Sequence, residues 1–399
     1  MRERGPIAAI RPKHCKEHAI IRARHAVLTL TCAVTLAGGV TACGTAEQLS
    51  AANKVSTAFD KLGEGKSLSV TFSLDATPAQ LLAADALDTS GGDKLTPAQA
   101  KQVSGLGATL TMSSDKPIKD VLNQAQAQSS SGRLDPALDF ALEVHAGDDK
   151  PLIELRAVSG KEYLRVDVDG IVKLGGDSKA ASEINGMHQA FADLPPSFAP
   201  LKSALDGKWI SIDPKKLADF SKTLQEKAGT ASATPSAVPT LDGATQDKLV
   251  KALTGVFTQD VTLTDKGTVN NQDHIVVEAP AQKLIADIQQ AIAPIAKDIP
   301  ALGSSFPTAA PTGVPAGNAS ADLLIDKDGS LSKLSIDLGQ LDTPSSKGRA
   351  QLPASLTFDN KAAATTAPAG AVAFDPSVLQ DLIKNFADAP GTTPDSIDG

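Results

Sequence analysis

Cys43 closes the tetrapeptide Val40-Thr41-Ala42-Cys43, and its thiol is the side chain whose neighbours most plainly specify a covalent reaction. Small side chains at Thr41 and Ala42 let an extended strand enter a peptidase active site, and the Cys43 sulfur would take a diacylglyceryl group. Ahead of it runs an apolar stretch, residues 26–40. Before that lies a basic leader carrying Arg2, Arg4, Arg11, Lys13, Lys16, Arg22 and Arg24 against Glu3 and Glu17. The apolar stretch is too short to cross about 30 Å of hydrocarbon as a helix, and it ends in small residues, as a cleaved signal does. This is the layout of a bacterial lipoprotein signal. Residues 1–42 are expected to be removed, and palmitate or similar chains on Cys43 to hold the rest at the extracytoplasmic face of the cell membrane. At about 0.8 kcal/mol per buried methylene, two or three chains anchor far better than one. A plain secretory signal is the other reading of the leader.

The remaining residues that could do chemistry fall short of a site. Gly65-Lys66-Ser67 is half of a phosphate-binding loop, but the first glycine it needs would stand at Asp60, and the preceding segment reads as helix. Asp326-Lys327-Asp328-Gly329-Ser330 has the acids of a calcium loop, with Asp337 at the twelfth position. Its glycine is fourth where the sixth is required, so a hairpin turn is the reading. Asp167-Val168-Asp169-Gly170 reads the same way. Ser-x-x-Lys occurs at Ser113 and at Ser330 without the Ser-Asp-Asn and Lys-Thr-Gly partners of a penicillin-binding enzyme. His145, His188 and His274 are isolated in sequence. No enzymatic activity, cofactor or metal is expected.

Composition narrows the class further. Cys15 and Cys32 lie in the leader, so only Cys43 persists and no internal disulfide is available. An exported chain without disulfides must hold itself together by burial. Of 399 residues, 357 follow Ala42, enough for one large domain or two small ones. Losing seven basic and two acidic residues takes the net charge from −8 to −13. Nucleic acid is therefore not an expected partner, because phosphate contacts need concentrated Lys and Arg. Aromatic residues are 3% of the chain, with one Trp and one Tyr, so the core must be aliphatic. Enrichment in Ala, Pro and Thr suggests a high-GC, actinobacterial type of genome.

The elements that would position these residues follow from periodicity. Residues 46–62 read as a helix with Leu49, Val55, Phe59 and Leu62 roughly on one side. Leu68, Val70, Phe72 and Leu74 then alternate with small hydroxyls, a strand with one wet face. Helices open at Thr77-Pro78 and Thr96-Pro97, and a strand follows at 108–112. Next comes a meander. Phe140, Leu142 and Val144 alternate with Ala141, Glu143 and His145; Ile153 and Leu155 with Glu154 and Arg156; Leu164, Val166 and Val168 with Arg165 and Asp167. Asp169-Gly170 is expected to close a hairpin into 171–174. A Pro-broken helical stretch spans 179–205, and a short strand 208–212 carries Trp209, either a core anchor or the edge of a pocket; Tyr163 is open in the same way. Helices are expected at 214–227, 245–257, 282–292 and 376–386. Strands are expected at 261–264, 274–278 and 354–358, with a hairpin of 321–326 and 331–338 about Asp328-Gly329. Residues 229–240 and 303–320 are rich in Ala, Thr, Ser, Gly and Pro, and read as loose segments.

This order of elements resembles the LolA-like lipid carriers, and more specifically the actinobacterial LppX and LprG-type lipoproteins. The resemblance is carried by residues 160–166, by Gly207-Lys208-Trp209-Ile210-Ser211-Ile212-Asp213, by 261–278 and by 323–331. It implies an α+β fold: a strongly curved antiparallel β-sheet, or half-barrel, covered by helices, with residues 43–399 forming one domain. In that family acyl chains occupy an apolar cavity between sheet and helices. The candidate lining is Val70, Phe72, Leu74, Leu142, Val144, Ile153, Leu155, Val166, Leu334 and Ile336, for each of which ordinary core packing is the other reading. The function so implied is non-covalent binding of a lipid or other apolar ligand, for transfer across the cell envelope. Its rival is a ligand-free lipoprotein that docks an envelope protein partner.

Overall fold

A computed structural model describes residues 46–87, 94–128, 137–147, 150–176, 178–192, 198–217, 259–296, 314–341 and 348–376, with a few isolated positions between. The leader 1–42 with Val40, Thr41 and Ala42, Cys43, residues 229–240 and 303–313, and most of the helices expected at 214–227, 245–257 and 376–386 lie outside them.

The chain opens with α1, Ala46–Leu62. Its buried side chains are Ala51, Ala52, Val55, Ala58, Phe59 and Leu62, spaced one, three, three, one and three apart: one stripe of an α-helix. Leu49, expected on this stripe, is instead 40% exposed, and the buried alanines take its place. Small side chains there let the helix backbone approach the sheet closely. β1 follows at Ser67–Leu74, then α2 at Pro78–Leu87 and α3 at Pro97–Val103. Both helices start as their sequences require. Thr77 and Thr96 each accept from the N–H three residues on, and Gln80 and Gln99 reach back to the cap N–H groups.

β2 (Gly107–Ser113) leads into α4 (Ile118–Gln128), a helix that the reading of the sequence did not include. Pro117 just ahead of it was the available signal. β3 (Asp139–His145), β4 (Ile153–Val158) and β5 (Lys161–Val166) form the expected meander. The hairpin expected at Asp169-Gly170 does not exist. Residues Val168–Gly175 are helix α5, capped by Asp167, whose carboxylate accepts from Gly170 N at 2.9 Å. Gly176, with φ of 67°, ends it in the left-handed conformation. Val168, Ile171 and Val172 stand at helical spacing; in so short a segment, Asp-Gly serves equally well as a turn or a first helical turn.

α6 (Ser178–Ala192) and α7 (Ala199–Leu205) precede β6 (Ile210–Ile212). β7 (Thr262–Val269) and β8 (Gln272–Pro280) are longer than expected, because Asn270 and Asn271, with φ of 50° and 68°, make a two-residue turn between them. α8 (Ala281–Ala296), β9 (Asn318–Ile325), β10 (Leu331–Asp337), β11 (Pro353–Asp359) and the short β12 (Val372–Phe374) complete the described elements. Residues 326–330 are the β9–β10 turn, with Gly329 at φ 82°.

All twelve strands form one sheet, in the order β12-β6-β5-β4-β3-β2-β1-β11-β10-β9-β8-β7. Two antiparallel meanders meet where β1 pairs with β11, and the sheet is mixed only because β12 lies parallel to β6. The architecture is thus α+β, one large mixed sheet with helices packed on it. Reaching β12 from β11 means crossing seven strand spacings, about 34 Å. The thirteen residue steps from Asp359 to Val372 span about 45 Å when extended and about 20 Å as helix, so this strap has to run extended. Thr365 N donates to Ser113 Oγ at 2.9 Å, and Arg156 Nη1 to Thr366 O at 3.2 Å, which fixes the strap to the polar face.

Candidate functional site

The strand register assembles the candidate ligand residues. Pairing runs Leu164–Leu155–Leu142–Leu110–Val70 in one row, and Val166–Ile153–Val144–Ala108–Phe72–Leu356–Leu334–Leu323–Ile275 in the next. Leu74, Ala354 and Ile336 pair in a third. Because side chains alternate along a strand, all ten residues singled out in the sequence stand on one face of the sheet. Leu110 belongs among them. It went unnamed because its strand alternates with threonines, which gives only a short signal.

The two halves of this face differ in cover. Over β7–β11 and β1, the α1 stripe packs on Leu68, Val70, Ile275, Leu323, Ile325, Leu331, Leu356 and Phe358, with Phe72 and Leu334 against them. Leu68 and Ile275 are at most 1% exposed, and each such side chain contributes about 1.5–3 kcal/mol. Val70 is thus part of this core, and Phe72 and Leu334 pack against it partly buried. Leu74 packs with Ala76, Leu81 and Ala100 beneath α2 and α3. Over β2–β5 the cover is thinner. Leu110, Leu142, Val144, Ile153, Leu155, Leu164 and Val166 are all only half-buried, as is Ile336 on β10. Helices α5, α6 and α7 flank this half, with α7 against β5, β6 and β12.

The opposite face of the same strands is charged. Arg165, Glu154, Glu143, Thr109, Thr71 and Thr357 pair in one row. Glu154, 5% exposed, accepts from Arg165 and lies 3.5 Å from Arg156, which also reaches Glu143 at 3.3 Å. Trp209 lies on this face. The Arg156 and Arg165 guanidiniums stack 5.0 and 5.7 Å from its ring centroid, so it neither anchors the aliphatic core nor edges the apolar face. Tyr163, on the same face, is buried.

The histidines do not converge: His145 is on β3, His188 on α6 and His274 on β8. His274 Nε2 meets Asp322 Oδ1 at 2.7 Å; His188 stands 3.7 and 3.8 Å from Asp169 and Asp206. Among the described residues no group of three His, Cys, Asp or Glu could hold a metal, and no helix is long and apolar enough to cross a membrane.

Hydrogen bonds and ion pairs on the surface shift several carboxyls and lysines. The Ser330 hydroxyl and N–H, with Lys361 beyond, hold the Asp328 carboxyl down to about 2. Lys54 is pushed up by hydrogen bonds to Asp265 and Asp273, at 2.8 and 2.9 Å, and Asp265 is lowered by Lys54 and by the Gly267 N–H. A polar groove of about 550 Å³ lies beside Lys54, between α1 and the tips of β7–β8 and β9–β10. No family model matches the chain, and a search of the curated proteins returns no match.

Proposed function

We propose that this chain is a lipoprotein held to the extracytoplasmic membrane face through acylated Cys43, and that it takes a lipid or similar apolar ligand on the β2–β5 half of its aliphatic face. One observation carries the reading: seven aliphatic side chains in two registered rows are left half-buried beside a half where α1 covers a core of fully buried ones such as Leu68, Ile275 and Leu323. Aliphatic surface of this kind attracts acyl chains and repels polar solutes. Each methylene moved onto it from water contributes about 0.8 kcal/mol, so affinity scales with chain length.

The sheet is proposed to curve into a half-barrel of the LolA-like kind. Twisted open sheets rarely exceed about ten strands without curling, and this one has twelve, with β12 and β7 at its ends. Curling brings α5–α7 and the aliphatic rows toward one another. Binding is passive: the ligand leaves one leaflet, shelters between sheet and helices, and is delivered elsewhere in the envelope.

The test is solvent extraction of the protein purified from its own host, followed by lipid mass spectrometry. A stoichiometric lipid is expected from the wild type and a much reduced amount from Leu155→Glu. A wild-type protein that yields none would transfer the function to protein docking.

A further inference from the structure

We infer that the end of the molecule built from the first turns of α1 and the β7–β8 tip lies on the surface of the leaflet that holds Cys43, an inference resting on the lipoprotein reading above. Only Gly44 and Thr45 separate Cys43 from Ala46. Three Cα steps span at most about 11 Å, so acylation pins the start of α1 at the headgroups. What stands at that end suits the place. Leu49, in the first turn of α1, is 40% exposed, and Val269, the last residue before the Asn270-Asn271 turn, is 46% exposed. A large aliphatic side chain left in water on each of two adjoining elements is well placed to enter the headgroup boundary, where apolar contact adds to an acyl anchor.

The groove between these elements complements the apolar pair. Ser50, Asn53 and Thr57 on α1 face Thr268 and Asn271 across it, offering hydroxyls and amides to glycerol and phosphate oxygens. Lys327 lies at its edge and makes no ion pair among the described residues. The acids of the groove are engaged: Asp273 by Lys54, and Asp326 by Gln272 Nε2 at 2.7 Å. The partner is therefore a phospholipid surface, with headgroups in the groove and Leu49 and Val269 beside them. The incompletely covered aliphatic rows begin at β2, which β8, β9, β10, β11 and β1 separate from β7. The ligand face is thus carried away from the anchored edge.

Because Cys43 is the one cysteine outside the leader, a single added thiol can be labelled uniquely. Full-length acylated Val269→Cys, Leu49→Cys and Ile171→Cys proteins would each carry an environment-sensitive fluorophore on vesicles of phosphatidylcholine and phosphatidylglycerol containing a nitroxide-labelled lipid. Quenching of at least about twofold is expected at 269 and 49, and none at 171 on α5. Equal quenching at 171 and 269, or none at 269, overturns the orientation. Intact mass of the same samples separates the two ideas. An unmodified Cys43 removes the anchor and this inference with it, whereas an acylated, vesicle-bound protein with an unquenched 269 removes the orientation alone.

Discussion

Glu154 is buried beside Arg165 directly across the β4–β5 pair, while the next pair along the same strands, Leu155 and Leu164, points to the other side of the sheet. One short piece of meander thus presents a charge network on one face and an incompletely covered aliphatic surface on the other. The network ties β3, β4 and β5 to Trp209 and, through Arg156, to the strap that leads to β12.

Replacing Glu154 by Gln strands two partly buried guanidiniums without their shared counter-charge. The expected loss is about 2–3 kcal/mol, below the cost of breaking a fully buried pair because the arginines keep some solvent. Trp209 is the one tryptophan of the chain. Its emission therefore reports the unfolding of this region directly in a urea titration. A midpoint unchanged from wild type would show the network to be energetically idle.

The two halves of the aliphatic face should respond differently to truncation. Ile275 is fully buried under α1, so Ile275→Ala should cost about 3–4 kcal/mol, from lost transfer energy plus a cavity. Leu142→Ala, in the half-buried row, should cost about 1.5 kcal/mol or less, since it forfeits less buried area and solvent can relax into the space. Equal losses by chemical denaturation would mean that both halves are equally filled.

Stability should fall on the acid side through Asp328. Its carboxyl is held at about 2 in the folded protein against an ordinary 3.8, chiefly by the Ser330 hydroxyl. A depressed acid stabilises the fold fully above its unfolded value, and that contribution disappears as pH falls through the folded value. The window is therefore between about pH 4 and pH 2. Asp328→Asn should lower denaturant midpoints in the neutral region toward those found near pH 2, which stay nearly unchanged, so that the acid limb flattens; a limb as steep as wild type would assign the acid sensitivity elsewhere.

Asp167→Ala removes the side chain that caps α5. An uncapped helix start costs about 1 kcal/mol, and the effect should be local. Amide exchange at Gly170 and Ile171 should quicken while β4 and β5 keep their protection. Uniform quickening across the sheet would mean that α5 is integral to the core.

Much of this fold was legible along the chain. Alternation in β1, β3, β4, β5 and β10 and the Thr-x-x-Gln caps of α2 and α3 are local patterns, set by side-chain geometry within a few residues. That alternation also selected the ten candidate residues, which stand on one face because strand parity is conserved through every antiparallel pairing between them. Local patterns that suit two structures equally decide nothing. Asp167 to Gly170 suits a hairpin or a helix cap, and β7–β8 run longer than their alternation predicts because Asn270-Asn271 makes a tight turn between them.

By itself the sequence determined which residues face together and the basic, apolar, small-residue layout that ends at Cys43, because period and composition are properties of neighbouring residues. Only the tertiary structure decided that β1 joins the two meanders by pairing with β11, that the strap crosses to lay β12 beside β6, and that α1 covers a buried core on one half of the aliphatic face while the other stays thinly covered. Those outcomes depend on which distant segments meet. Alternation fixes the face a side chain takes, but burial is decided by whatever element the fold lays over that face.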